Sequence, residues 1–146
     1  MTKVAEILKS KSDATVYAVA PGATVFEALR LMADKGIGSL LVKEGETIVG
    51  IVTERDYARK IALMGRTSTE TLVRDVMTTS VLCVHPTQTS DECMQLMTGK
   101  RLRHLPVVDN GQLLGMISIG DLVKDIISEQ KFIIEQLEHY ITGGGR

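Results

Sequence analysis

VYAVAPGATVFEALRLMADKGIGSLLVKEGETIVGIVTERDYARKI (residues 16–61) and VLCVHPTQTSDECMQLMTGKRLRHLPVVDNGQLLGMISIGDLVKDI (residues 81–126) are two versions of one pattern. They align without a gap at a constant offset of 65 positions, from Val16 on Val81 to Asp56 on Asp121 and beyond. Pro21/Pro86, Thr24/Thr89, Glu27/Glu92, Leu31/Leu96, Met32/Met97, Val42/Val107 and Gly50/Gly115 are identical, and many other positions exchange one apolar residue for another. Such a repeat decides architecture before any single residue does, because each copy is one supersecondary unit. A short lead-in precedes each copy, VAEIL (4–8) and VRDVM (73–77).

Each copy has the same local grammar. A short extended piece, VYAVA or VLCVH, ends at Pro. Thr24 with Glu27, and Thr89 with Glu92, then read as capping boxes that open a helix. Ala28, Leu31 and Met32, and their partners Cys93, Leu96 and Met97, follow at helical spacing. A hairpin comes next, SLLV–EGE–TIVGIVT or LPVV–DNG–QLLGMIS. A second helix starts near Asp56 or Asp121, and the first of these stops at Gly65, a left-handed C-cap. Neither copy, at roughly 45–60 residues, buries enough surface alone. The expectation is an α/β (α+β) fold of two β-α-β-β-α repeats packed sheet to sheet with pseudo-twofold symmetry. The expected division is 1–66 and 67–127, each a repeat with its lead-in, then 128–146, an extended helix ended by GGGR.

That last helix carries an apolar stripe of Leu122, Ile126, Ile127, Ile133, Ile134, Leu137 and Ile141. It either packs on its own domain or finds a second subunit.

Bulk properties narrow the function classes. The chain has 146 residues, 44% hydrophobic and 24% charged, with a formal net charge of −1. This is a globular composition with no global electrostatic case for nucleic acid or an anionic membrane surface. Aromatic residues are 3% and tryptophan is absent, which argues against a base-stacking surface. No apolar run approaches the roughly 20 residues that span a bilayer. MTKVAEILKSKSD lacks the apolar core of a secretory signal, so a cytoplasmic protein is expected.

The repeat is also an internal control on chemistry. Cys93 stands in a first helical turn, where a thiolate is favoured, but its partner is Ala28, so core packing is expected. Cys83 aligns with Ala18 and is expected in the core or lining a pocket. His85, His104 and His139 have no metal-ligand spacing. No nucleophile elbow, Walker A loop or GxGxxG is present. What both copies share is the strand-to-helix corner, GIVTERD and GMISIGD. A hydroxyl and an acid three residues later suit a helix N-cap with a first-turn acid. The same pair suits a nucleotide, the hydroxyl and free amides meeting phosphate and the Asp accepting from a ribose diol.

With these corners, the duplication, the two lead-ins and the RHLPVVD hairpin, the chain resembles the tandem CBS domain, named after cystathionine β-synthase, whose pair is called a Bateman module. The resemblance covers almost the whole chain, and a stand-alone regulatory module is the expectation. It implies adenosine ligands, AMP, ADP, ATP, NAD or S-adenosylmethionine, in two clefts between the repeats, and homodimers. It assigns the ribose to Asp56 and Asp121, and the ribose or phosphate to Thr53 and Ser118. It assigns the adenine to the backbone around Thr15, Val16, Tyr17 and Ala18 and around Ser80, Val81, Leu82 and Cys83. Phosphate falls to Arg103 and His104, serving the cleft whose ribose Asp is Asp56. Gly38 and Ser39 replace that pair in the first copy, leaving Arg55, unmatched where Gly120 stands, to supply a cation; the clefts are expected to be asymmetric.

The leading reading is a regulatory adenosine-nucleotide sensor, not an enzyme, with no catalytic cofactor or metal and an unidentified downstream protein. The alternative is a structural dimerisation or interaction domain with vestigial clefts. An enzyme using His104 and an Asp as acid/base pair is disfavoured, because only one copy has the His.

Overall fold

A computed structural model describes residues 2–11 and 15–141. The GGGR end assigned to helix termination lies outside them. In chain order the elements are α1 (Val4–Ser10), β1 (Ala18–Val19), α2 (Val25–Lys35), β2 (Ser39–Glu44), β3 (Thr47–Thr53) and α3 (Glu54–Asp56), which continues as a π-helix over Tyr57–Ala62. A 3₁₀ turn at Val73–Asp75 follows, then α4 (Ser90–Lys100), β4 (His104–Asp109), β5 (Gln112–Ser118) and α5 (Ile119–Ile141).

The compact units do not coincide with the repeats and their lead-ins. A central unit spans Thr15–Leu82, and a flanking unit joins the N-terminal lead-in to the residues from Cys83 onward. These units cut the chain differently from the two repeats with their lead-ins, since each lead-in packs with the other repeat. The docking is the same in both. The Val4 and Ala5 amides donate to Gln88 O (2.8 Å) and Pro86 O (3.0 Å), and the Ser90 amide to Thr2 O (2.8 Å). In the central unit the Val73 and Arg74 amides donate to Ala23 O (2.8 Å) and Pro21 O (3.0 Å), and the Val25 amide to Thr71 O (2.8 Å).

Side chains explain the fit. Val4 and Ile7, like Val73 and Val76, are buried. Leu8 lies over Gly115 and Met77 over Gly50. A Cβ on Gly115 would sit 2.8 Å from Leu8 Cδ2, and one on Gly50 would sit 2.7 Å from Met77 Sδ and 2.9 Å from Thr78 O. The glycine shared by both hairpins is thus a seat for the lead-in.

In the central unit β1 runs parallel to β2, with Val19 beside Val42, and β2 and β3 form the antiparallel hairpin. The flanking unit repeats the hairpin as β4 and β5, with the same irregularity, after Val107 where the first has it after Val42. Its first strand shrinks to one parallel bridge, Val84 to Val107. Asn110 and Gly111 both take positive φ (52° and 75°), as a two-residue type I′ hairpin turn requires. The Thr halves of the expected helix caps are present, Thr24 Oγ1 accepting from the Glu27 amide at 3.1 Å and Thr89 Oγ1 from the Glu92 amide at 3.3 Å. Glu92 turns to the Thr89 hydroxyl instead of completing a reciprocal box through its amide. The helix expected to stop at Gly65 ends earlier, at Ala62 with Leu63 as its C-cap, and Gly65 takes a left-handed φ of 71° in the turn that follows.

Val25, Ala28, Met32, Leu40, Val42, Val52 and Ile61 form the central core with Val73 and Val76. Cys93 is fully buried, as a core residue, whereas Cys83 is exposed, which removes the core half of its expectation. Leu122 anchors α5, but Ile127, Ile133, Ile134, Leu137 and Ile141 are all more than half exposed. The far stripe therefore does not pack on its own unit.

Candidate functional site: two capped carboxylates

Each hairpin ends where the following helix begins, and this fixes the corner. In the central unit Ser39 pairs with Thr53, and the Glu54 amide donates to Gly38 O (3.1 Å). In the flanking unit His104 pairs with Ser118, and the Ile119 amide donates to Arg103 O (2.9 Å). The two polar ends of RHLPVVDNGQLLGMISIGD thus meet at one end of one hairpin.

At the first corner a reciprocal capping box is complete. The Asp56 amide donates to Thr53 Oγ1 (3.1 Å), and the Thr53 amide donates to Asp56 Oδ2 (3.0 Å). The Thr53 hydroxyl also gives its proton to Oδ2 (3.2 Å). Asp56 is 8% exposed, and its Oδ1 meets Lys60 Nζ at 3.1 Å, one helical turn on. Lys60 Nζ also donates to Val76 O (2.8 Å) in the lead-in. The N-cap expectation is therefore met, and a carboxylate with one oxygen in the cap and one toward lysine remains.

The second corner repeats the box with a different cation. The Ser118 amide donates to Asp121 Oδ2 (2.8 Å) and the Asp121 amide to Ser118 Oγ (3.1 Å). Here position 125, the partner of Lys60, is Asp. Lys11, at the end of α1, supplies the charge instead, 3.0 Å from Asp121 Oδ2 and donating to Met116 O at 2.8 Å. Burial alone would raise the Asp121 pKa, but the Ser118 amide and the Lys11 ammonium outweigh it and hold the carboxyl below its ordinary range. A pocket of about 310 Å³ adjoins it, lined by Ile7, Ser10, Lys11, Asp121, Lys124, Asp125 and Ser128, with Asp125 Oδ2 buried and unpartnered.

Arg103 is exposed and His104 half-buried. Burial lowers the His104 pKa, Lys11 and Arg103 add to the lowering, and Asp121 opposes them. At neutral pH His104 is an uncharged hydrogen-bonding ring, so Arg103 is the cation of the pair. Arg55 is exposed on α3. Thr15, Ser80 and Cys83 are exposed, while Val16, Tyr17, Ala18, Val81 and Leu82 are half-buried. Lys35 Nζ lies 5.3 Å from the Tyr17 ring centroid. The residues from Thr15 to Ala18 and from Ser80 to Leu82 share a unit with Asp56, and Cys83 falls in the unit of Asp121.

Lys11 and Lys60 are the residues that motif reading misses. The spacing from Asp56 to Lys60, an i,i+4 pair on a helix, is a usable local signal. Nothing local points from Asp121 to Lys11. Among the described residues no group of His, Cys, Asp and Glu is placed to hold a metal, and no helix is long and apolar enough to cross a membrane.

Two βαββα repeats, each ending its hairpin in a hydroxyl–acid corner, define a tandem-repeat protein with paired like sites. The chain belongs to the CBS-domain family, whose model matches residues 4–63 and 73–128. CBS domain-containing protein CBSX3, mitochondrial, of Arabidopsis thaliana is 38% identical over 98% of this chain and 73% of its own length. A solved protein with CBS domains from Burkholderia ambifaria is 56% identical, with a TM-score of 0.86 over 88% of this chain and 96% of its own. CBSX2, solved in complex with AMP, is 26% identical, with a TM-score of 0.71 over 89% of this chain and 99% of its own.

Proposed function

We propose that this CBS pair is a regulatory module, not an enzyme, that binds an adenosine nucleotide (AMP, ADP, ATP or a NAD-type ligand) at its two corners and signals occupancy by a conformational change. The observation that carries the reading is the duplicated corner. In both copies a carboxylate is fixed by backbone amides at a helix start, with acceptor capacity left for hydroxyl donors. The complex of its relative CBSX2 with AMP supports the ligand class.

Asp56 and Asp121 take the ribose, and Thr53 and Ser118 border it. Arg103, Arg55 and neutral His104 serve phosphate, with Arg103 contributing the charge. The segments Thr15–Ala18 and Ser80–Cys83 offer backbone groups to adenine. The exposed stripe of α5 supports self-association as a homodimer, and another protein reads the change.

Calorimetric titration with AMP, ADP, ATP and NAD tests this. One ligand should bind and raise the melting temperature, the stabilisation reaching about 2.7 kcal/mol at a hundredfold excess over Kd. Asp56→Ala and Asp121→Ala should each weaken binding, and 3′-deoxyadenosine monophosphate should bind less well than AMP. Binding indifferent to both aspartates and to the diol overturns the ribose assignment. If no adenosine ligand binds, the module is a structural dimerisation domain.

A further inference from the structure

In both units a lysine ammonium bridges the corner carboxylate and the lead-in, yet the two lysines come from opposite sides. Lys60 belongs to the corner helix and reaches the lead-in carbonyl of Val76. Lys11 belongs to the lead-in segment and reaches the corner, touching Asp121 and the β5 carbonyl of Met116. Neither lysine has a lysine partner in the other copy: Asp125 stands opposite Lys60, and Ser80 opposite Lys11 on the lead-in alignment that places Val4 on Val73. The same contact has thus been built twice from unrelated positions.

The two latches differ in which oxygen they hold. Asp56 Oδ2 is filled by the Thr53 amide and hydroxyl, and Lys60 sits on Oδ1. A ligand hydroxyl can take the place of the Thr53 hydroxyl by a side-chain rotation, with Lys60 still seated. Asp121 Oδ2 is filled by the Ser118 amide and by Lys11. A diol that places one hydroxyl on each oxygen has to displace one of these, and the amide is fixed by the helix start. Lys11 also closes α1, its amide donating to Leu8 O at 3.3 Å.

We infer that Lys11 is a built-in competitor for ligand at the Asp121 corner, so that filling this corner unlatches the end of α1, while filling the Asp56 corner leaves its lysine in place. The inference rests on the adenosine-ligand reading and adds how one of its two sites is coupled to the rest of the chain. An ion pair of this exposure, 22% and 20% for the two side chains, shifts an equilibrium by up to about fivefold.

The test is calorimetric titration of the full chain with AMP, in an Asp56→Ala background that leaves the Asp121 corner as the ribose site, alongside amide exchange read at Leu8 to Lys11. Lys11→Met, which keeps the apolar stem, should bind AMP about two- to fivefold more tightly than its Lys11 parent. Lys11→Gln, which keeps a donor for Met116 O without the charge, should fall between the two and guards against a folding defect in the first variant. AMP should accelerate exchange at the end of α1 when Lys11 is present and have no such effect in Lys11→Met. Equal or weaker AMP binding by both variants, or slower exchange at α1 on adding AMP, overturns the latch. Absence of binding heat for AMP, ADP, ATP and NAD with the unmodified chain is a different result, since it removes the ligand reading and the latch together.

Discussion

The central and flanking units carry the same carboxylate in the same capping role, and they neutralise it by different routes. Asp56 uses a lysine four residues away on its own helix, whereas Asp121 uses a lysine 110 positions earlier in the chain. Position 125 explains the change. An acid there cannot supply the cation that position 60 supplies, and it adds a second negative charge one turn from Asp121. Duplication thus preserved the cap, which is backbone geometry, and left its counter-ion to be found elsewhere.

The largest expected difference between the units is in their independence. A bare copy is too small to fold alone, but a fragment of residues 15–82 adds the lead-in that completes its core and should unfold cooperatively by circular dichroism. A fragment of residues 1–66 holds the lead-in of the other unit and should not. A folded 1–66 fragment would show that lead-ins can exchange seats.

The glycine seats come next. Gly50→Ala places a methyl against both Met77 Sδ and the Thr78 carbonyl, and backbone cannot swing aside. It should cost about 1–3 kcal/mol in urea unfolding. Gly115→Ala meets only the end of the Leu8 side chain and should cost about 1 kcal/mol or less. Equal costs would mean that the two lead-ins are seated less alike than their hydrogen bonds indicate.

Removing the carboxylates should separate the corners by a smaller margin. Asp56→Ala loses the cap and the Lys60 contact at a buried position, for about 1–2 kcal/mol. Asp121→Ala, at a more exposed position, should cost about 1 kcal/mol. Thermal melts of the two variants at one pH give the comparison.

The smallest contrast is in acid. His104 has Ser39 as its partner in the central unit. Its pKa is lowered in the folded chain, so the unfolded chain binds the proton first. Stability should hold above the ordinary histidine value of about 6.5 and decline as pH falls from there toward the folded value. The Asp121 contribution follows later, being lost only as pH drops through a folded pKa below the ordinary carboxylate range. Protection of the β4 amides, taken relative to their intrinsic exchange rate at each pH, should therefore fall between pH 7.5 and 5.5 while that of β2 changes less. His104→Gln should flatten that response, and an unchanged profile would assign the acid sensitivity to another group.

Much of this fold is legible in the chain because short-range rules dictate it. The Thr24 and Thr89 caps and the Asn110–Gly111 turn each follow from a few neighbouring residues, and the inward Cys93 follows from its repeat partner Ala28. The corner box at Thr53 and Asp56 is legible for the same reason. The exchange of lead-ins is not, since VAEIL and VRDVM present the same apolar spacing and either fits either seat by pattern alone. Lys11 is hidden by that exchange, because only a chain whose first lead-in sits with its second repeat brings it to Asp121. The far half of α5 was open in the sequence because amphipathicity names a buried face without naming its cover, and Ile134 and Leu137 prove exposed to solvent.

The exchanged lead-ins also set an order of assembly. Thr15–Leu82 is continuous, so during synthesis this unit has every piece it needs once residue 82 has emerged. α1 is made earlier and has to wait, with Val4 and Ile7 uncovered, until β4 and β5 exist to receive them. For that interval it is an unsheltered apolar segment, so a segment translated before the central unit is protected only after it.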